Sequence, residues 1–442
     1  MKKILCTALC LLLVNCSDFL DKRSDTSLAI AYTLEANQAL LDNYEFIGFG
    51  NISGELSAGD IIISDEDYAA TSEDTERRLY TWQPDRVAKA NGNDWSNIYA
   101  KINIANTVLA NIELYNIGGA GNVKGQALVH RAALYLEAVS LWAPAYDANT
   151  ASVDWGVPLR LSPDMSEVSV RASVEEVYHQ IIQDLTEAIP LLPLQQVAAS
   201  RQSRLSALGY LARAYLYMGD YEKALNYAAE ALDKSPQLMD YNSLDPSSSY
   251  PFTMFNQEVL FHLASTSTFC LSKSVVRIQR ELYDSYEEND LRKSIFFVVE
   301  QDGRISFKGN YSGDSLMAMP MAVDEIYLIA AECYAETNQV AKAMQTLNAL
   351  LVTRYKRGTF NEYTASSKEA ALSLIREERR KELVFRNLRW SDLKRYNRDG
   401  AGISLRRVVQ GKEYVLPPND PRYAIAIPED VIELSGMPQN PR

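Results

Sequence analysis

The chain has 442 residues, 47% hydrophobic and 23% charged, with 20 Gly and 16 Pro, a mixture that excludes collagen-like, disordered and disulfide-scaffold classes. Its 44 Lys and Arg against 57 Asp and Glu give a net charge of −13, which repels phosphate backbones and argues against a nucleic-acid partner. No Pro/Gly/Ser-rich linker divides the sequence, so it reads as one body on a helical scaffold whose ligand is neutral or weakly charged.

Lys2 and Lys3 precede an apolar run from Ile4 to Val14, shorter than the ~20 residues a membrane-spanning helix needs. Residues 1–15 therefore read as a cleavable signal peptide. The run ends Leu13-Val14-Asn15-Cys16, which resembles the bacterial lipoprotein signal, where the cysteine is acylated and becomes the first mature residue. On that reading Cys16 is the lipidation site and residues 16–31 are a tether, held to a membrane by acyl chains at roughly 0.8 kcal/mol per buried CH2. Cys6 and Cys10 leave with the signal, and Cys270 and Cys333 remain. An exported pair could bridge, but a core of this size needs no staple, and two buried thiols are the preferred reading.

Residues 32–442 read as a single domain. Trp95, Ile98, Tyr99, Ile102, Ala105, Asn106, Leu109 and Ile112 recur at helical spacing and predict a long helix over 94–115. A glycine-rich break is expected over 118–125, then a second helix over 126–143 with Leu128, Ala132, Tyr135, Leu136 and Val139, stopped by Pro144. The strongest internal signal is 205–236: Leu211, Ala212, Tyr215, Gly219, Tyr221, Ala224, Ala228, Ala231 and Pro236 fall at the spacing of a tetratricopeptide repeat, whose small residues let two helices approach closely. A degenerate copy over 323–355 carries Ala331, Tyr334, Ala343, Leu347 and Leu350, with Asn338 in place of the turn glycine.

The predicted fold class is mainly α: a tetratricopeptide-like scaffold of about four helix pairs, over 94–143, 174–236 and 323–396, with a loop-rich second face that contains small strands. That face draws on 46–94, 147–171, 237–313 and 399–442. Long irregular stretches in a compact domain are usually functional, and these hold Trp82, Trp155, Tyr241, Tyr250, Phe269, Phe307 and Tyr311. Two strand-like runs, 294–300 and 305–308, flank Asp302-Gly303 and predict a hairpin. The segment 368–396 reads as one helix with a solvated, salt-bridged face.

No HExxH, GxSxG, GxxxxGK(S/T) or EF-hand series is present, so no enzyme motif, metal centre or cofactor site is assigned. His130, His179 and His262 are scattered and read as structural or surface residues. Gly119, Gly121 and Gly125 follow a helix rather than a strand and read as a turn. Asp60, Asp65, Glu66 and Asp67 could offer oxygen ligands to calcium, but without EF-hand order they read as a solvated acidic loop. A glycosidase would need two carboxyl groups facing each other across a cleft, and none can be paired from sequence.

Aromatic residues are the remaining lead: Tyr (26) outnumbers Phe (12), and Tyr and Trp combine an apolar face with a hydrogen-bonding tip, suited to sugars and to peptide backbones. Trp82 lies in a predicted loop beside Tyr80, Gln83 and Asp85. Trp95 opens a helix beside Asn91, Asn93 and Asp94, whose amides and carboxylate can fix hydroxyls. Trp82, Trp95, Asn93 and Arg78 are the expected ligand contacts.

Several motifs together resemble the SusD/RagB family of outer-membrane lipoproteins of Bacteroidetes. They are the start Cys16-Ser17-Asp18-Phe19-Leu20-Asp21; Trp95-Ser96-Asn97-Ile98-Tyr99; Arg131-Ala132 with Tyr135; Gly156-Val157-Pro158; and Ile375-Arg376-Glu377-Glu378-Arg379-Arg380-Lys381-Glu382-Leu383. Arg389-Trp390-Ser391-Asp392-Leu393-Lys394-Arg395, Ile427-Pro428 and Gln439-Asn440-Pro441 complete the set. One departure is Arg386-Asn387 where the family commonly has Glu-Gly. The resemblance implies a non-catalytic nutrient-binding protein on the cell surface, its tetratricopeptide half against a SusC-like TonB-dependent transporter and its loop-rich half toward the nutrient. Oligosaccharide is the implied ligand; oligopeptide capture, or a structural cap of the transporter without a ligand site, are the alternatives.

Overall fold

The computed structural model describes residues 31–43, 49–90, 92–234, 237–265, 268–309 and 311–442. The leader, Cys16 and the tether up to residue 30 lie outside the described residues, as do Asn91 and Pro236. Among the described residues no helix is long and apolar enough to cross a membrane.

Helix α1 (Leu34–Leu41) leans on α2 (Asp94–Leu114) and α3 (Gly121–Trp142). The stack continues through α4 (Val174–Ala188), α5 (Arg204–Met218), α6 (Tyr221–Asp233), α7 (Val323–Glu336), α8 (Val340–Leu351) and α9 (Lys368–Glu382). From α2 to α9 each helix packs on the next in chain order, a tetratricopeptide-like scaffold. The two predicted repeats are α5/α6 and α7/α8. Between the helices of each stands a left-handed residue, Gly219 at φ 79° and Asn338 at φ 60°, so the asparagine takes the turn conformation that glycine adopts without steric cost. Ala224, Ala228 and Ala231 are fully buried on one face of α6. Gly209 in α5 is another close approach: a Cβ there would meet Met321 Sδ at 2.5 Å.

The break before α3 is shorter than predicted. Gly121 and Gly125 lie inside the helix, because Gly125 is a packing position where a Cβ would fall 2.8 Å from Leu192. Buried ion pairs then lock the stack. Arg131 donates to both carboxylate oxygens of Asp184 at 2.7 Å and to Asn106 Oδ1 at 3.0 Å, joining α3, α4 and α2. Arg213 Nε donates to Glu325 Oε1 at 2.8 Å, joining α5 to α7.

The predicted single helix over 368–396 is two, α9 and α10 (Arg389–Arg398). Phe385 and Asn387, both at φ 57°, interrupt it, and the freed Asn387 N–H donates to Glu55 at 2.9 Å. Nor is its charge solvated. Arg379 and Arg395 are buried; Arg379 donates to Asp392 at 2.8 Å, and Arg395 grips Glu332 with two bonds of 2.7 Å.

The second face is loop-rich with two-stranded ribbons. The predicted hairpin is Phe297–Val299 against Ile305–Phe307, while Leu291–Phe296 just before it is helical. The 46–94 stretch contains short helices Ser53–Ser57, Asp65–Ala70 and Asp74–Tyr80. Asp65, Glu66 and Asp67 form the first turn of one, where carboxylates favour the helix dipole. Asp60 is buried and paired with Arg380, so the acidic segment is neither one loop nor wholly solvated. Of the rings assigned to this face, Trp82, Tyr241, Phe307 and Tyr311 are buried, whereas Trp155, Tyr250 and Phe269 are exposed. Cys270 and Cys333 are free and buried, and burial pushes the Cys270 thiol up to about 12.

Candidate functional site

A cavity of about 180 Å³ opens at the N-terminus of α2, at the junction of the helical stack and the loop face. Its walls come from distant parts of the chain: Ile52 and Ser53, the Asp74–Tyr80 helix, residues 87–89, 92–95 and 97, Trp142 at the end of α3, Thr268, and Ile425, Ala426 and Pro428. Drug-sized ligands occupy roughly 300–1,000 Å³, so this cavity suits one ring-sized unit of a larger ligand.

Asn93 and Trp95, two of the residues read from sequence as ligand contacts, line it. Asn93 is chiefly a cap: its Oδ1 accepts the Ser96 N–H at 2.8 Å and its Nδ2 donates to Lys89 O at 2.5 Å. That fixes the entry angle of the chain into α2. Trp95 is 6% exposed; its ring lies 4.8 Å from Tyr99 and 4.9 Å, edge-on, from Trp142. It is a rigid wall rather than a free platform. Between them Asp94 Oδ2 accepts from Ile52 N at 3.0 Å, Ser53 N at 2.8 Å and Ser53 Oγ at 2.5 Å, and burial raises its carboxyl above the usual range in spite of those bonds.

Trp82 and Arg78 are corrections. Trp82 is 4% exposed; its Nε1 donates to Ser57 O at 2.9 Å, and the Arg407 guanidinium lies 4.6 Å from its ring centre and 3.9 Å from that of Tyr80. Both recognition features of the indole are used inside the protein. Arg407 donates to the carbonyls of Leu56, Ala58 and Tyr80, and burial lowers its guanidinium to about 10. Arg78 is turned to Asp85, donating to its carbonyl at 2.8 Å and pairing with its carboxylate. Neither residue lines the cavity.

The residues that sequence reasoning missed are Thr75, Asn97, Lys89, Glu76 and Thr268. Asn97 follows Trp95 by two positions in the first turns of α2, and its side-chain amide makes no hydrogen bond to any described residue; nor does the Thr75 hydroxyl. Lys89 reaches Glu73 across 3.2 Å at the surface. Glu76 is held by the Cys270 N–H at 3.1 Å. The cavity thus combines an indole wall with an amide, a hydroxyl and an ammonium at its lip.

A second, narrower void of about 80 Å³ lies among α2, α3, α5 and Trp390. Lys101, His130, Glu137, Gln202, Tyr217 and Asn387 line it, and buried His130 Nε2, Gln202 Nε2, Tyr217 OH and Asn387 Oδ1 find no protein partner. Burial lowers His130 to about 4, so it is neutral. Unpaired buried polar atoms around a void of this size are the setting for internal water. His130 and His262 are buried and His179 is exposed, and no group of His, Cys, Asp and Glu among the described residues could hold a metal ion.

Residues 18–216 match a family model described as SusD-like, starch-binding and associating with the outer membrane, and residues 300–429 match the SusD family model. A SusD-like protein of Formosa agariphila is 24% identical over 366 residues, 68% of this chain and 70% of that protein. Among solved structures, a SusD superfamily protein of Bacteroides thetaiotaomicron superposes with a TM-score of 0.74 at 22% identity, covering 93% of this chain and 100% of the other. A SusD-like carbohydrate binding protein of Bacteroides vulgatus gives 0.70 at 22%, covering 91% and 96%. With family motifs matched in both halves and the helical stack shared throughout, the chain belongs to the SusD/RagB family.

Proposed function

We propose that the chain is a non-catalytic surface lipoprotein, anchored through Cys16, that captures an oligosaccharide and passes it to a TonB-dependent outer-membrane transporter. The observation that carries the reading is the cavity beside Trp95: a rigid apolar back wall of indole carbons, with the free Asn97 amide and Thr75 hydroxyl at the lip to meet a sugar's hydroxyls. Asn93 contributes by fixing the start of α2. The two cavity acids are engaged by the protein itself, Asp94 by residues 52–53 and Glu76 by the Cys270 N–H, an arrangement that supports holding a ligand over cleaving one. The fold shared with a carbohydrate binding protein agrees with this reading.

A glycan array and a peptide array probed with the purified protein test it. Oligosaccharide signal without peptide signal is the expected result; peptide signal alone replaces the ligand class, and silence on both favours a structural cap. Once a binder is found, Asn97→Ala should weaken it by about 2- to 12-fold, the value of one ordinary hydrogen bond, with the melting temperature unchanged. Unchanged affinity by calorimetry removes Asn97 from the contact.

A further inference from the structure

A groove of about 510 Å³ lies where α9, the start of α10, residues 281–285 and residues 401–403 meet. In a chain of net charge −13 its lining is cationic: Arg376, Arg380, Lys381 and Arg389, against Glu281 and Glu377 at the exposed rim. Three of the cations have their own acceptors. Arg376 donates to Glu332 and Glu336, each at 3.1 Å, over the Tyr396 ring. Lys381 pairs with Glu378. Arg380 donates twice to Asp60 Oδ1, at 2.8 and 2.5 Å.

Arg389 is different. Its side chain is 16% exposed; its ion pair is with Asp60, 3.5 Å from Nε, a carboxylate already committed to Arg380, and it also feels the buried Glu55 carboxyl through space. The buried Nε has no hydrogen-bond partner, and the guanidinium donates no hydrogen bond to any described residue, although it carries five N–H donors in a planar fork. It also occupies the first position of α10, the helix end at which a cation is disfavoured. The carboxylates beside it account for its charge, but not for a fork of N–H donors left without hydrogen bonds at the end of a helix that disfavours a cation.

We propose that this groove binds an oxyanion substituent, the carboxylate of a uronic acid or a sulfate ester, carried on the captured glycan, with the free fork of Arg389 as its principal donor. Planar two-point recognition of an oxyanion is what the fork offers, and Ser373, exposed on the lining, supplies a hydroxyl for the sugar that bears it. The groove shares no lining residue with the cavity beside Trp95, so it forms a second subsite. The segment 52–60 runs from one to the other, since Ile52 and Ser53 wall the cavity while Asp60 holds the groove's arginines. This inference rests on the glycan-binding reading and extends it to acidic glycans.

Calorimetry with the full, detergent-solubilised protein tests it on four probes: uronate oligosaccharides, sulfated oligosaccharides, neutral oligosaccharides of equal length, and an acidic peptide. One acidic sugar class should bind about tenfold or more tightly than the neutral one, and that preference should shrink as salt is raised; which class wins identifies the anion. Arg389→Gln should abolish the preference while leaving neutral binding in place, and Ser373→Glu, on an exposed position, should do the same without touching the core. Equal binding of acidic and neutral sugars overturns the inference and leaves the glycan reading intact. Binding of the acidic peptide alone overturns both. A preference that survives in both folded variants excludes this groove as its source.

Discussion

Arg354→Met should cost about 3–5 kcal/mol of folding stability, the penalty for leaving buried carboxylates without their cation. Arg354 is fully buried. Its Nε donates to Glu382 at 2.7 Å, its Nη2 to both oxygens of Glu258 at 3.0 Å and its Nη1 to Met239 O at 2.8 Å, with Tyr241 stacked 4.1 Å beneath. Glu382 continues the chain of charges to Arg292 at 2.9 Å, and Arg292 in turn meets Glu378 at 2.6 Å and Asp290 at 2.7 Å. The network joins α9 to the 237–311 loops, so it is an ionic bond between scaffold and second face. Since domains are stable by only about 5–15 kcal/mol, the variant should unfold at a markedly lower urea concentration and release the loop face to proteases first. A midpoint within about 1 kcal/mol of the parent would show that these ions contribute specificity rather than stability.

The helical half of this molecule was legible because its signals are local. Spacing within α5/α6 and α7/α8 identified the repeats, and the Gly219 and Asn338 turns follow from one residue's conformational freedom. The loop face was not legible to the same degree. Trp82 is buried because Arg407, more than 300 residues downstream, lies across it and Ser57 takes its N–H, and no window around residue 82 contains that information. The same holds for the run 375–382: charges that look solvated in sequence are drawn in because acids on α7 and α10, Asp60 and Arg292 of the loop face arrive to meet them. At the cavity, Asn93 and Trp95 could be found because they open a helix together. Thr75 and Thr268 reach it only through the tertiary fold, and Asn97 was passed over because a polar residue on a helix face carries no periodic signal of its own.

Acidity offers the second large effect, through Glu55. This residue is 2% exposed in the short helix Ser53–Ser57, and burial raises its carboxyl to about 7, with the Asn387 N–H drawing it down and Asp60 adding a smaller upward push. The folded state therefore holds a proton that the unfolded chain releases near 4.5. Stability from this group is fully present below about pH 4.5, falls as pH rises toward about 7, and stays at the lower level above it, a difference of up to about 3 kcal/mol. Asp94 and Glu137 are raised by burial in the same sense. Lys394, buried against the carbonyls of Ser140 and Ala143 and lowered to about 7, acts above that point, where stability recovers as pH rises toward its unfolded value of 10.5. Glu55→Gln keeps an oxygen to accept the Asn387 N–H but has no proton to lose. Relative to the parent, the variant should therefore gain stability progressively from about pH 5 to about pH 8, measured as the difference in urea midpoints across that range. A difference that does not change with pH would mean that Glu55 is already ionised in the folded protein, with Arg389 rather than a proton balancing its charge.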